Sequence, residues 1–216
     1  MVFTNLASAG EVFQLIRQGT ATTRPELGRL TGLSRTAVTQ RGIALCDLGL
    51  VIENDPEGST GGRPPAQLML NSSAGVVLAA DFEVDRCRLA LSTLDGSSLG
   101  EMQADVDSGL GPEVVVDWMV EHFVDLLGNV GRGVPDVVGI GIGLPGPVEF
   151  RLGRVVSPPI MPGWDGVSIP ELVWRTFPVP VQVDNDVNIM AVGEHAAYWH
   201  DLVDDLLFVK VSAGIG

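Results

Sequence analysis

Residues 183–188 read Val183-Asp184-Asn185-Asp186-Val187-Asn188, so carboxylates and carboxamides leave the end of an apolar strand, Val179 to Val183, and run into a helix. Open sheets present ligand-binding groups at the carboxyl ends of their strands. A carboxylate at a helix start, as at Asp186, can accept a hydroxyl proton or hold a hydroxyl by a hydrogen bond. The same residue types also cap helices, and Asn185 or Asp186 fits that role equally well.

A second polar set lies near the N-terminus, in Ser34-Arg35-Thr36-Ala37-Val38-Thr39-Gln40. At helical spacing, Arg35, Thr36, Thr39 and Gln40 share the face opposite Val38, Leu45 and Leu48. Such side chains donate to phosphates and reach base edges in a major groove. No acidic residue occurs between Arg29 and Arg41.

The elements needed to position this set are legible. Thr23 can cap a short helix with Arg24 and Pro25 in its first turn, where the missing proline N–H costs nothing. Glu26 suits the positive end of that helix. Leu27 and Leu30 form its inward stripe, Gly32 stops it, Leu33 plugs the corner, and Ser34 caps the next helix. Leu50-Val51-Ile52-Glu53 and Ala66 to Asn71 read as two strands, and the loop between them contains Gly61-Gly62-Arg63-Pro64-Pro65. Together these are the parts of a winged helix-turn-helix, with Arg63 slim enough to enter a minor groove. The order of cap, turn, polar face and wing points to duplex DNA, with Arg24, Ser34, Arg35, Thr36, Thr39, Gln40 and Arg63 as contacts. The plainer reading is a small helical bundle with a hairpin. Arg41 and Gly42 stand where such helices carry apolar residues, which predicts a loosely packed or bent second helix.

The chain has 216 residues, 45% of them hydrophobic, which supports one large or two modest domains with a real core. Its formal charge is −14, but residues 1–71 balance six arginines against six acids, and residues 72–216 hold 7 basic and 21 acidic residues. The acidic part would be repelled by phosphate, so the N-terminal part is the expected DNA face. No apolar run approaches the ~20 residues of a membrane span, and no signal-peptide pattern opens the chain. Cys46 and Cys87 stand alone, without a disulfide framework or a Cys-x-x-Cys pair. His122, His195 and His200 have no cysteine at ligand spacing. A cytoplasmic protein without a metal site in this chain is expected.

From residue 72 onward three strands are predicted, Val76 to Phe82, Arg88 to Leu94 and Leu99 to Val106. An amphipathic helix follows from Glu113 to Leu127, then a strand from Val137 to Leu144, and Val187 to Trp199 reads as a helix. This is a mixed α/β sheet. Gly141-Ile142-Gly143-Leu144-Pro145-Gly146 matches G-x-G-x-x-G, and Asp165 lies at a suitable distance downstream. A dinucleotide turn must open a helix, however, and Pro145, Pro147 and the extended Val148-Glu149-Phe150 argue against one.

The stretches Gly139 to Val148, Val156-Ser157-Pro158-Pro159 with Pro162-Gly163-Trp164, and Asp184 to Asn188 with Gly193-Glu194 resemble the ROK family (repressors, open reading frames and kinases) of the actin-like, hexokinase-like superfamily. With the helices and hairpin in front, nearly the whole chain resembles a ROK transcriptional regulator of the sugar-responsive repressor type. The resemblance implies an N-terminal winged helix-turn-helix (1–71) followed by the first lobe of an actin-like, ribonuclease H-like ROK domain and the start of a second (72–216). It implies an operator as DNA partner, a carbohydrate effector, and a homodimer or higher oligomer. By position, Asn185 and Asp186 take the sugar contacts, and Asp186 would be the base if the protein were an ATP-dependent hexose kinase, the alternative reading. Family kinases follow the first strand with Asp-x-Gly-x-Thr. Here Asp81-Phe82-Glu83-Val84-Asp85 keeps Asp81 but sets Glu83 and Asp85 where Gly and Thr belong, so two carboxylates would face a triphosphate. A sensor rather than an enzyme is expected. Leu207 to Gly216 resembles the second phosphate strand and stops within that motif. The sequence therefore reads as truncated, and the structural zinc that the family implies would have its ligands beyond Gly216.

Overall fold

The computed structural model describes residues 3–54, 66–199, 202–203 and 205–211. The chain divides into two compact units, residues 1–74 with 94–96, and residues 75–93 with 97–216.

The first unit contains α1 (Phe3–Arg17), α2 (Arg24–Thr31), α3 (Arg35–Asp47), β1 (Val51–Asn54) and β2 (Gln67–Leu70). The caps form as their residue types dictate. Thr23 Oγ1 accepts from Glu26 N, and the Glu26 carboxylate accepts from the backbone N–H of Thr22 and Thr23, closing a capping box. These bonds hold the exposed Glu26 carboxyl below its ordinary range. Gly32 ends α2 in the left-handed region at φ 68°, and Ser34 Oγ caps α3 by accepting from Ala37 N. Gly49, also left-handed at φ 71°, turns the chain out of α3 into β1. β1 and β2 pair antiparallel from Val51↔Leu70 to Asn54↔Gln67. The base of the hairpin is tied by Asn71 N to Leu50 O and Asn71 Nδ2 to Gly49 O.

The core of this unit is Val12, Ile16, Ala21, Leu27, Val38, Leu45, Val51 and Leu68. Two expected core residues lie outside it: Leu30 is 42% exposed and Leu48 is 70% exposed. Leu30 sits in the last turn of α2, where the stripe begun by Leu27 has rotated toward solvent. Leu48 is the C-cap residue, past the last full turn of α3.

α3 runs unbroken from Arg35 to Asp47 through Arg41 and Gly42. Gly42 is buried on its inner face between Val38 and Leu45. A Cβ there would lie 3.6 Å from Leu68 Cδ1 and 3.9 Å from Arg24 Nε, ordinary contact distances. Gly42→Ala should therefore stabilise the unit by about 0.5–1 kcal/mol through helix propensity. A urea melt will check this, and a midpoint at or below the wild-type value would mean that the contact with Leu68 is tighter than it looks.

The second unit is built on a five-stranded sheet, in the order β5-β4-β3-β6-β9. The strands are β3 (Val76–Phe82), β4 (Arg86–Thr93), β5 (Ser98–Asp105), β6 (Val137–Leu144) and β9 (Val181–Asn185). β3, β6 and β9 run parallel, while β4 and β5 are antiparallel additions. This is the expected mixed α/β architecture. α4 (Pro112–Asn129) buries Val115, Val116, Met119, Phe123, Leu126 and Leu127, and packs on β4 and on α5 (Ile169–Val173). Phe123 meets Phe177 edge-on at 6.3 Å inside the same core. β6 leads through Pro145-Gly146-Pro147 into the short hairpin of β7 (Val148–Glu149) and β8 (Arg154–Val155). No helix follows the glycine motif, so no pyrophosphate cradle forms there.

Because three strands are parallel, their carboxyl ends share one edge. Asp81 on β3 is level with Gly143 on β6, and Gly143 with Asp184 on β9. α6 (Asp186–Glu194) starts at that edge and passes into a single π-helical turn, His195–Trp199.

Candidate functional site

Two groups of the expected residues are brought together, one in each unit. In the first unit, Arg24, Arg35 and Thr39 line one hollow of about 710 Å³ with Pro25, Gly28 and Ala66. Ser34, Arg35, Thr36 and Gln40 are exposed and Thr39 is half-buried. Thr36 and Gln40 lie opposite Val38, Gly42 and Leu45, whereas Arg35, three residues before Val38 and seven before Gly42, lies on their stripe at the exposed first turn, so the expected polar face is shared only in part. Ser34 spends its hydroxyl oxygen as the cap of α3. Arg63 lies outside the described residues.

Arg24 differs from the expectation of a free phosphate or base donor. Its Nη1 and Nη2 donate to Glu53 Oε1 and Oε2 at 2.6 and 2.7 Å, a two-pronged bond from the start of α2 to β1. Leu68 N donates to Thr22 O at 2.7 Å beside it, so β2 is tied to the same place. Arg24 is thus a brace between helix and hairpin. The hydrogen bond from Arg24 holds the Glu53 carboxyl below its ordinary range, against a smaller opposing effect of burial. A carboxylate whose folded pKa is depressed adds stability above its unfolded pKa, and that contribution is lost as pH falls through the folded value. Glu53→Gln should therefore lower stability at pH 7 by about 1 kcal/mol at most, since the pair is partly exposed. The gap to wild type should close as pH drops below the ordinary glutamate range. Thermal melts at pH 7 and pH 3 test this, and an equal gap at both would show that Glu53 acts through packing.

In the second unit the centre is Asp186, buried at the first position of α6. Its Oδ2 accepts from Lys210 Nζ at 2.7 Å. The neighbouring groups divide into braces and charges. Asn185 Oδ1 caps α6 by accepting from Val187 N at 3.0 Å, and Asn185 Nδ2 donates to Leu144 O and Gly146 O at 3.4 and 3.2 Å. Both its amide protons are used, so Asn185 fastens the Pro-Gly loop to the helix start. Asp184 Oδ1 accepts from Asn185 N and from Asn188 Nδ2.

Asp81 faces Asp186 across Gly143. A Cβ on Gly143 would stand 3.2 Å from Asp81 Oδ1 and 3.5 Å from Asp186 Cα, so a larger residue there would crowd the Asp81 carboxylate by a few tenths of an ångström. Burial pushes the Asp81 carboxyl up; Lys210 opposes this, while Asp186 and Glu83 add to it. For Lys210, burial works against the charge, but the hydrogen bond and attraction to Asp186, with Asp81 and Glu83 behind it, raise its pKa on balance. Glu83 and Asp85 are exposed in the β3–β4 turn, where Glu83 N donates to Arg86 O and Asp85 O accepts from Val106 N.

Lys210 is the residue that sequence reasoning missed. Its signal was a single charge in the apolar run Leu207-Phe208-Val209-Lys210-Val211, 24 positions from the partner it meets. Among the described residues no three His, Cys, Asp or Glu side chains converge as a metal ligand set. His122 and His195 instead bond the carbonyl oxygens of Trp118 and Val203. The donor set that a structural zinc requires is therefore not formed by these residues. No helix among them is long and apolar enough to cross a membrane.

The sequence of residues 78–216, which carries this sheet edge and both Asp81 and Asp186, matches the ROK family. The chain belongs to the ROK family. Among ROK proteins it is similar to the xylose repressor of Caldicellulosiruptor bescii, with 28% identity over 205 residues, 95% of this chain and 51% of that protein. Among solved structures it is similar to a ROK family transcriptional regulator described as a homologue of the Escherichia coli MLC protein. The TM-score is 0.75 at 23% identity, covering 90% of this chain and 49% of that one. It is also similar to a ROK family glucokinase from Streptomyces griseus solved with glucose and AMPPNP, with a TM-score of 0.57 at 22% identity, covering 66% of this chain and 43% of that one. At these identities the structural likeness shows the fold. The chain spans about half the length of the curated relatives it matches.

Proposed function

We propose that this ROK protein is a sequence-specific DNA-binding transcriptional repressor of carbohydrate genes, in which a kinase-derived second unit senses a sugar. The observation that carries the reading is the exposed polar face at the N-terminal half of α3. Thr36 and Gln40 stand opposite the buried Val38, Gly42 and Leu45, with Arg35 exposed at the helix start. The capped α2, the Gly32 turn and the braced β1–β2 pair support reading this unit as a winged helix-turn-helix whose second helix would enter a major groove. The first unit is balanced in charge and the second is acidic, which orients the first toward phosphate. The protein binds as a dimer on a palindromic operator, since half-site symmetry mirrors protein symmetry.

The second unit keeps Asp186 as an acceptor for a sugar hydroxyl, with Asn185 as its positioning residue. Glu83 and Asp85 in the β3–β4 turn oppose a triphosphate, which favours a sensor over a kinase. The name of the Caldicellulosiruptor relative makes xylose the first effector to try. Footprinting with the purified protein on its own upstream region should reveal a protected palindrome that is released by xylose or another neutral sugar. The absence of protection in any condition would overturn the reading. ATP-dependent sugar phosphorylation lost in Asp186→Asn would establish the kinase instead.

A further inference from the structure

We infer that Lys210 completes the specificity of the sugar site: paired with Asp186, it recognises a neutral vicinal diol, while the carboxylates around the pair disfavour phosphorylated or acidic sugars. This rests on the sensor reading above and adds a residue and a ligand class to it.

The pair has the right chemistry. A carboxylate only accepts hydrogen bonds and an ammonium only donates them, with three protons available. One Lys210 proton is spent on Asp186 Oδ2 at 2.7 Å, so two remain beside the unused lone pairs of the carboxylate. A hydroxyl both donates and accepts. Two hydroxyls on adjacent carbons stand roughly 2.8 Å apart, as in a hydrogen-bonded pair. One can donate to Asp186 while its neighbour accepts from Lys210, and the ion pair stays intact. The two side chains are 8% and 21% exposed, enough shielding to strengthen each bond and enough access for a ligand edge.

The charge around the pair selects against anions. Asp81 faces Asp186 across Gly143, and Glu83 acts on both Asp81 and Lys210. One ammonium faces three carboxyl groups, so a phosphate or a sugar acid would enter a field that is already negative.

Calorimetric titration of the full chain with xylose, its monodeoxy analogues, glucose and glucose 6-phosphate tests this. Wild type should bind a neutral sugar at least tenfold more tightly than the deoxy analogue lacking a contacted hydroxyl, and should prefer glucose to its phosphate. Lys210→Met should bind the sugar and the analogue lacking the Lys210-bound hydroxyl alike, while the analogue lacking the neighbouring, Asp186-bound hydroxyl stays weaker. If Lys210→Met fails to melt cooperatively, Lys210→Gln, which keeps an N–H donor, takes its place and should retain part of the discrimination. Full discrimination in Lys210→Met, or a wild type that prefers the phosphate, would overturn the inference and leave the sensor reading standing. A protein that protects its operator but binds no sugar overturns both the inference and the sensor reading.

Discussion

Trp164→Ala should destabilise the second unit by about 3–5 kcal/mol, the range for emptying a large buried aromatic site. Trp164 is fully buried in the main core, and its indole N–H donates to Ser108 O at 2.9 Å. The loop around it bends at Gly163 and Gly166, left-handed at φ 86° and 76°. Its backbone closes on itself through Trp164 N to Met161 O and Val167 N to Trp164 O. The side chain therefore anchors a segment with little regular structure of its own. Trp164→Phe separates the two contributions. It keeps most of the volume but removes the indole donor from the Ser108 carbonyl, which keeps the Gly111 N–H at 3.3 Å, at a cost of about 0.5–1.5 kcal/mol. Denaturant melts of the three proteins give both differences, and an alanine variant within 1 kcal/mol of wild type would remove Trp164 as an anchor.

Arg35→Ala should weaken operator binding about tenfold to a hundredfold, or ~1–3 kcal/mol, the usual value of one good base or phosphate contact. Arg35 opens α3, where the free backbone N–H groups and the helix dipole already favour phosphate. It is exposed and lies one turn from Thr39 on the same face. If it reads a base, specificity relaxes at one operator position; if it holds a phosphate, affinity falls evenly across sequences. Gel-shift titrations on an operator series distinguish the two, and unchanged affinity throughout would take α3 out of the groove.

Much of the first unit was legible because caps are local. Thr23, Glu26, Gly32 and Ser34 each act within four residues, and each does what its type implies. α1 was not read, since its periodic core residues Val12 and Ile16 are too few to mark a helix. β3 and β6 were readable from their apolar runs, and β4 and β5 as strands set off by the Asp95-Gly96 turn, whereas the five-residue α5 is shorter than any periodic window. In the site, the side chains at residues 185 and 186 are held differently. Asn185 is the cap, and Asp186 is held by a lysine. Neither the Arg24–Glu53 brace nor the Lys210–Asp186 pair could be found by spacing, because each joins positions more than twenty residues apart. Sequence proximity carries no information about such partners.

The brace at Arg24 also bears on how the protein would respond to ionic conditions. A cation that binds DNA displaces condensed counter-ions, and each phosphate neutralised steepens the fall of affinity with salt, by a slope of about 0.9. If the first unit docks on an operator as proposed, Arg24 would meet it with its charge already paired to Glu53. It would then displace little counter-ion, and the salt dependence of operator binding would be shallower than the arginines around α2 and α3 suggest. A larger share of the affinity would fall to contacts that depend on sequence.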